Sequence, residues 1–326
     1  MSGEPDGGLP ISLADVEAAR AAICGRLHRT PTLSSATLSS ATGAHVLLKA
    51  ELFQRTGSFK PRGVLAKLAT LTAEEQRRGL ITASSGNHGQ ALAYVGRLLA
   101  LDVLVLMPAS ASRVKVDATK GYGATVVSAA DGDLDRRLSE LVAETGRVPV
   151  PAFDDLAVIA GQGTIALELL EDVPDLDLLL VPTSGGGLLA GVGVAVKALR
   201  PQARVVAVEP ALAPSLRAAL AARKPVATTP SSIADALAAP QVGALCFRIA
   251  SQLVDDVVHV TDDEIVHAMC VLYERAKLAC EPAGAAAVAA LLSGAVALRR
   301  KATVAAVVSG GNVDPALAAT VLAAGG

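Results

Sequence analysis

Short apolar runs alternate with longer amphipathic stretches along this 326-residue chain. The runs His45–Lys49, Leu80–Ala83, Asp102–Met107, Thr125–Ser128, Leu176–Val181, Arg204–Val208, Val257–Val260 and Thr303–Val308 have strand length and predict strands. Between most of them, apolar positions recur at helical spacing, predicting helices such as Ala73–Arg78, Gln90–Leu99, Asp133–Glu144, Ala157–Leu170 and Asp262–Ala279. Ser12, with Asp15 three positions on, marks a further helix start. Strand–helix–strand alternation implies an α/β fold with parallel-rich twisted sheets covered by helices on both faces. Near-continuous apolar runs such as Leu176–Val181 agree with burial on both sides. Ligands in such sheets sit at the carboxyl ends of strands. The loops after Ala83, Val181 and Val308 are therefore the places to look for chemistry.

Composition narrows the picture. Hydrophobic residues make up 52% and charged residues 18%, which excludes disorder for most of the chain. The formal net charge of -2, the 2% aromatic content and the absence of Trp give no case for a nucleic-acid or anionic-membrane partner. Cysteines at 24, 246, 270 and 280 show no C-x-x-C spacing and read as scattered buried thiols rather than a metal site. Residues 1–11 are rich in Gly and Pro and predict a loose tail without a secretory pattern. The uncharged stretch Ala283–Leu298 is shorter than a membrane span of ~20 residues and predicts a buried helix. A cytoplasmic protein is expected.

The loop after Val181 reads Pro182-Thr183-Ser184-Gly185-Gly186-Gly187-Leu188 and precedes a predicted helix, Leu188–Leu199. Consecutive glycines allow close backbone approach, and N–H groups at a helix start can converge on a phosphate. No Gly-Lys-Ser/Thr follows, and the G-x-G-x-x-G spacing fails, so neither a Walker loop nor a dinucleotide fingerprint fits. A flexible turn explains the glycines equally well in isolation. The loop after Ala83, Ser84-Ser85-Gly86-Asn87-His88-Gly89, offers hydroxyl, amide and imidazole groups suited to a carboxylate. An ordinary cap by Ser84 or Ser85 would need one such residue, not four. Ser309-Gly310-Gly311-Asn312 alone is a turn. Lys60 follows Thr56-Gly57-Ser58-Phe59; with Ser58 as cap and Pro61 in the first turn, it sits at a helix N-terminus whose dipole favours the neutral amine. A neutral-leaning lysine suits Schiff-base chemistry, although most lysines at helix starts are simply solvated.

Together, Thr56–Lys60, Ser84–Gln90, Ala157–Thr164, Ser184–Gly187, Glu281-Pro282 and Ser309–Asn312 resemble the fold-type II pyridoxal 5′-phosphate (PLP) enzymes, specifically the serine/threonine dehydratase and serine racemase group. The resemblance runs from about Ser12 to Asn312. It implies a two-domain, tryptophan synthase β-like fold. Residues 1–78 and 153–326 would form the large cofactor domain, and residues 79–152 an inserted small one. It further implies that Lys60 carries PLP as a Schiff base and later takes the substrate's Cα proton. Ser184, Gly185, Gly186, Gly187 and Leu188 would hold the phosphate. Phe59, Asn87, Glu281 and Ser309 would surround the ring, with Ser309 at its nitrogen. Ser84, Gly86, Asn87 and His88 would grip the substrate carboxylate, and Ser85 would lie opposite Lys60. The implied activity is an ammonia-lyase converting L-threonine or L-serine to 2-oxobutyrate or pyruvate.

Two departures from the family pattern matter. The phosphate loop begins with Ser184 where a fourth glycine is usual. At the family's divalent-cation site Glu209 and Ala213 match, but the acidic position is Ser215, which weakens a hard-cation site; Glu209 then reads as a hydrogen-bond acceptor. Racemisation of serine, dehydration of another 3-hydroxy amino acid and non-catalytic ligand binding stay open as alternatives. The resemblance also implies a homodimer acting on a small hydroxy-amino acid.

Overall fold

The computed structural model describes residues 8–324 except 112 and 131. Among these residues, ten strands form two sheets. They are β1 (Thr32–Ser34), β2 (His45–Ala50), β3 (Leu80–Ala83), β4 (Val103–Pro108), β5 (Thr125–Ala129), β6 (Val148–Pro149), β7 (Leu178–Pro182), β8 (Arg204–Pro210), β9 (Asp256–Val260) and β10 (Thr303–Val308). The six-stranded sheet has the order β1-β2-β10-β7-β8-β9, and the four-stranded sheet has the order β5-β4-β3-β6. Every pairing is parallel except β1 with β2.

Alternation with period two sends side chains of the large sheet into two separate cores. Leu47, Leu179, Val205 and Val307 face one core; Leu48, Leu180, Val206 and Val308 face the other. Both faces are apolar, so each strand reads as a continuous run. The small sheet repeats this with Leu80, Val103 and Val105 against one core and Ile81, Leu104 and Leu106 against a thinner second one.

All eight expected strands are present, with ends moved by at most two residues. β1 and β6 were not expected; three and two residues are too few to show a period. The expected helix Asp262–Ala279 is α-helical only to Val271, and a π-helical turn covers Leu272–Ala276. The Ala283–Leu298 stretch forms a buried helix over Pro282–Leu292, capped before Gly294 at φ +73°. Of the expected loose tail, residues 1–7 lie outside the described residues, and Ile11 is buried in the core. Cys246, Cys270 and Cys280 are buried, but Cys24, just past the first helix, is exposed.

One buried ionic cluster fixes the helix that carries Lys60. Arg62, fully buried on the Lys60–Ala69 helix, pairs with Glu51 at 2.8 Å and with Glu168 at 2.6 Å. Lys49 of β2 also reaches Glu168, at 2.7 Å, and Thr30 donates to Glu51 at 2.5 Å. The two carboxylates hold the Arg62 guanidinium firmly protonated against the cost of burial.

Candidate active site

The carboxyl ends of β3, β7 and β10 open onto one cavity of about 360 Å³ between the two sheets. Its walls contain Phe59, Lys60, the Ser84–His88 loop, the Ser184–Leu188 loop, Glu281 and Ser309. The cavity thus brings together residues spread over some 250 positions of sequence.

Lys60 begins the Lys60–Ala69 helix, with Pro61 in its first turn, where a missing N–H costs nothing. The expected cap by Ser58 is not made. Ser58 is extended, at φ -159°, and the cap position belongs to Phe59. The cause is non-local: Ser58 bridges Gly310, and Phe59 N–H donates to the Ser309 carbonyl at 3.2 Å. The 309–311 loop therefore dictates the backbone before Lys60, and Ser58 Oγ lies buried without a hydrogen-bond partner among the described residues. Lys60 Nζ donates to the Ala152 carbonyl at 2.9 Å and lies 5.2 Å from the Phe59 ring centroid. Burial pushes the Lys60 ammonium down to about 8, against the opposing pull of Cys246 and Glu281. Desolvation, rather than the helix dipole anticipated from sequence, is the main cause.

The glycine loop leaves β7 and enters the Gly187–Leu199 helix. Gly186 has φ +95°, which an L side chain rarely adopts. A Cβ at Gly185 would meet the Phe153 ring at 2.6 Å, so Phe153 packs directly against the loop and leaves no room for a side chain there. Ser184 Oγ accepts from Ala239 N–H at 3.0 Å, tying the loop to the segment at 235–239.

The Ser84–His88 loop needs no serine cap. The helix Asn87–Leu98 starts from Gly86, whose N–H donates to Ser84 Oγ at 3.2 Å. His88 differs from the expected picture of a carboxylate-gripping imidazole. Its Nε2 meets the Val150 carbonyl at 2.9 Å, so that nitrogen carries the proton. Burial, then the charge of Lys60, pushes His88 down to about 3, partly opposed by the Val150 contact. Neutral and protonated at Nε2, it has only a lone pair at Nδ1, which is buried without a partner. What His88 can offer an anion is its backbone N–H in the first helical turn.

Asn87 links the two sheets. Its Nδ2 donates to Glu281 Oε1 at 2.7 Å, and its Oδ1 accepts from Asn312 Nδ2 at 2.7 Å. Asn312 also donates to the Thr56 carbonyl at 2.7 Å. Burial raises Glu281 to about 7, while the Asn87 hydrogen bond works against this. Ser309, buried at the end of β10, directs its hydroxyl to the Ala283 carbonyl at 3.4 Å. It places a neutral group at the cavity floor.

Glu209, Ala213 and Ser215 stand outside this cavity. Glu209 accepts from the N–H groups of Leu216 at 2.6 Å and Arg217 at 3.0 Å, capping the Ser215–Ala222 helix. Its oxygens are occupied as a cap. Among the described residues no group of three His, Cys, Asp or Glu could hold a metal.

Sequence reasoning missed Phe153, Gln162, Asn312, Lys115 and Asp235 as cavity residues. Asn312 closes a loop already noted for its glycines, and Phe153 lies just before the Ala157–Thr164 run. Lys115 and Asp235 carry no local signal.

A buried lysine with a lowered pKa, a glycine cradle without Cβ atoms and a neutral serine at a strand end fit a pyridoxal phosphate with its aldehyde, phosphate and ring nitrogen. Two sheets presenting these groups across a cleft define a fold-type II PLP enzyme. The chain belongs to the pyridoxal-phosphate dependent enzyme family, whose sequence profile matches residues 23–310. It is 40% identical over 312 residues to the L-threonine dehydratase catabolic TdcB of Escherichia coli (strain K12), covering 94% of each chain. It is 39% identical to the L-threonine ammonia-lyase of Thermotoga maritima, covering 93% of this chain and 76% of that protein. Among solved structures, maize serine racemase superposes with a TM-score of 0.91 at 35% identity, covering 96% and 97% of the two chains. A threonine deaminase from T.th. gives a TM-score of 0.88 at 38% identity, covering 93% and 99%.

Proposed function

We propose that this protein is a PLP-dependent ammonia-lyase that converts L-threonine, L-serine or both to 2-oxobutyrate or pyruvate and ammonia. The observation that carries this reading is the convergence of Lys60, the Ser184–Leu188 cradle and Ser309 in one cavity. The threonine dehydratases at about 40% identity support it.

Bound PLP supplies the electron sink that acidifies the substrate Cα–H. Gly185, Gly186 and Gly187, with Ser184 and Leu188, hold its phosphate through backbone N–H groups. Phe59, Asn87 and Glu281 would flank its ring, and Ser309 would lie at the ring nitrogen. A neutral hydroxyl there would leave that nitrogen unprotonated, which would favour loss of a β-hydroxyl as the α proton departs. Lys60 takes that proton; its lowered pKa of about 8 leaves about a tenth of it as free amine at pH 7, far more than for an ordinary lysine. Ser84, Gly86, Asn87 and His88 orient the carboxylate, His88 through its backbone N–H. The β-hydroxyl leaves as water, the proton it gains balancing the one that Lys60 removes from Cα. Hydrolysis of the released product consumes one water and yields the 2-oxo acid and ammonia.

Ser85 favours a second reading, racemisation of serine, because it lines the cavity and can stand opposite Lys60. The serine racemases among its structural relatives agree with this. If Ser85 is a second proton donor, Ser85→Ala should suppress D-serine formation more than pyruvate formation; equal losses would remove this reading. The domain division at residues 79–152, a homodimer and a cytoplasmic location complete the proposal. No described helix is long and apolar enough to cross a membrane.

The test is a panel of hydroxy-amino acids assayed for 2-oxo acid, with chiral analysis of the remainder. The purified protein should absorb near ~410–420 nm with its cofactor, and Lys60→Ala should lose both colour and turnover. A wild-type protein that stays colourless in excess PLP would overturn the proposal.

A further inference from the structure

The cavity has a wall that the proposed chemistry leaves unassigned. Lys60, the glycine loop and Ser309 account for the cofactor end, and the Ser84–His88 loop accounts for the substrate carboxylate. Among what remains are Lys115, Leu134 and the 235–239 segment. This stretch of wall is open to the variable part of the amino acid, its side chain. It is mostly apolar: Leu134 comes from one side, and Ala236, Leu237, Ala238 and Ala239 from the other. Within it, Asp235 and Lys115 meet at 2.7 Å.

The two partners stand on different sheets' helices. Lys115 lies on the Arg113–Gly121 helix, between β4 and β5 of the small sheet. Asp235 opens a short 3-10 turn, Asp235–Leu237, between β8 and β9 of the large sheet. The contact therefore crosses the cleft and holds the Asp235 carboxylate at the cavity rim. Its charge reaches the centre: Asp235 raises the Glu281 pKa and Lys115 lowers it, behind the larger effect of burial.

Resting on the ammonia-lyase reading above, we propose that Asp235 is a specificity-determining residue: its carboxylate confines the enzyme to neutral side chains and turns away amino acids with a second carboxylate, such as 3-hydroxyaspartate. A small apolar wall suits the methyl group of threonine or the bare hydroxymethyl of serine. An acidic side chain would find the Lys115 ammonium already neutralised by Asp235, and so would gain no ion pair to offset its own desolvation. Replacing Asp235 by Asn keeps a hydrogen-bonding side chain of the same shape and makes the rim one unit more positive, whatever else Lys115 touches. Asp235→Glu keeps the charge.

The experiment titrates holoenzyme with L-aspartate and L-alanine and follows the cofactor absorbance. The two ligands share the α-amino acid core and differ by the side-chain carboxylate. In Asp235→Asn the affinity ratio of aspartate to alanine should rise about tenfold over wild type, and the gain should shrink at high salt. Asp235→Glu should keep the wild-type ratio. The kcat/KM ratio for 3-hydroxyaspartate against threonine, read as 2-oxo acid, should move in the same direction. An unchanged ratio in Asp235→Asn, or a Glu variant as permissive as the Asn variant, overturns the inference. The ammonia-lyase reading fails separately, if wild-type holoenzyme turns over neither threonine nor serine; the aspartate-to-alanine binding ratio still decides the role of Asp235.

Discussion

The two sheets are built to different tolerances. In the six-stranded sheet, β7 and β10 are buried along their whole length, and helices seal both faces. In the four-stranded sheet, β5 has no fully buried residue, Thr119 is the buried residue of the Arg113–Gly121 helix, and Leu141 that of Leu134–Thr145. Lys60, the glycine loop, Glu281 and Ser309 belong with the first; Ser84–His88 belongs with the second. A cofactor needs a fixed frame, and a substrate has to enter and leave. Thin packing around β5 and its two neighbouring helices makes local rearrangement cheaper there than in the six-stranded sheet.

The comparison is broken most severely at Arg62. Replacing it by Met leaves Glu51 without its buried partner, and Glu168 with Lys49 alone. Arg62→Met should cost about 3–5 kcal/mol in denaturant unfolding and weaken cofactor retention through the Lys60 helix. A loss below about 1 kcal/mol would show that the large sheet does not depend on this cluster.

A smaller effect is expected at Glu281, where the two halves meet. Its pKa is raised by burial from 4.5 to about 7. A carboxyl raised in the folded state is stabilising below its unfolded pKa and loses that contribution as pH rises through the folded one. Glu281→Gln in the cofactor-free chain should therefore gain on wild type as pH climbs from 4.5 past 7, by roughly 3 kcal/mol at pH 8. A pH-independent difference between the two proteins would contradict this.

The smallest effect belongs to the small sheet's surface. Arg137 reaches Glu140 at 3.0 Å and Glu144 at 2.9 Å, with all three side chains partly or largely exposed. Arg137→Ala should leave the denaturation midpoint unchanged within error. A shift approaching that of Arg62→Met would erase the contrast between the halves.

Much of this was legible in the sequence. Strand Thr303–Val308 was placed to the residue because both its faces are apolar and Ser309-Gly310 ends it. The glycine loop was legible only in company: alone it reads equally well as a flexible turn, and the other motifs in the same order gave it a role. What was not legible is what depends on distant partners. Ser58 looks like a cap, and only pairing with Gly310 prevents it. His88 looks like a ligand to an anion until Val150 claims its proton. Arg62 gathers Thr30, Glu51, Thr164 and Glu168, which no window of sequence brings together. Lys115 and Asp235 are an ordinary lysine and aspartate until the cleft aligns them.

The position of β10 has a consequence for how the protein is made. It is the last strand of the chain, yet it lies in the middle of the large sheet, between β2 and β7. The register joining Thr303 to His45 closes a separation of 258 residues. The small sheet, by contrast, uses strands from one contiguous stretch, Leu80 to Pro149, and can assemble while the rest is still being synthesised. The frame that holds the cofactor closes only when the C-terminal strand arrives, so a nascent chain stopped before Thr303 should retain no PLP, however well its small sheet has folded.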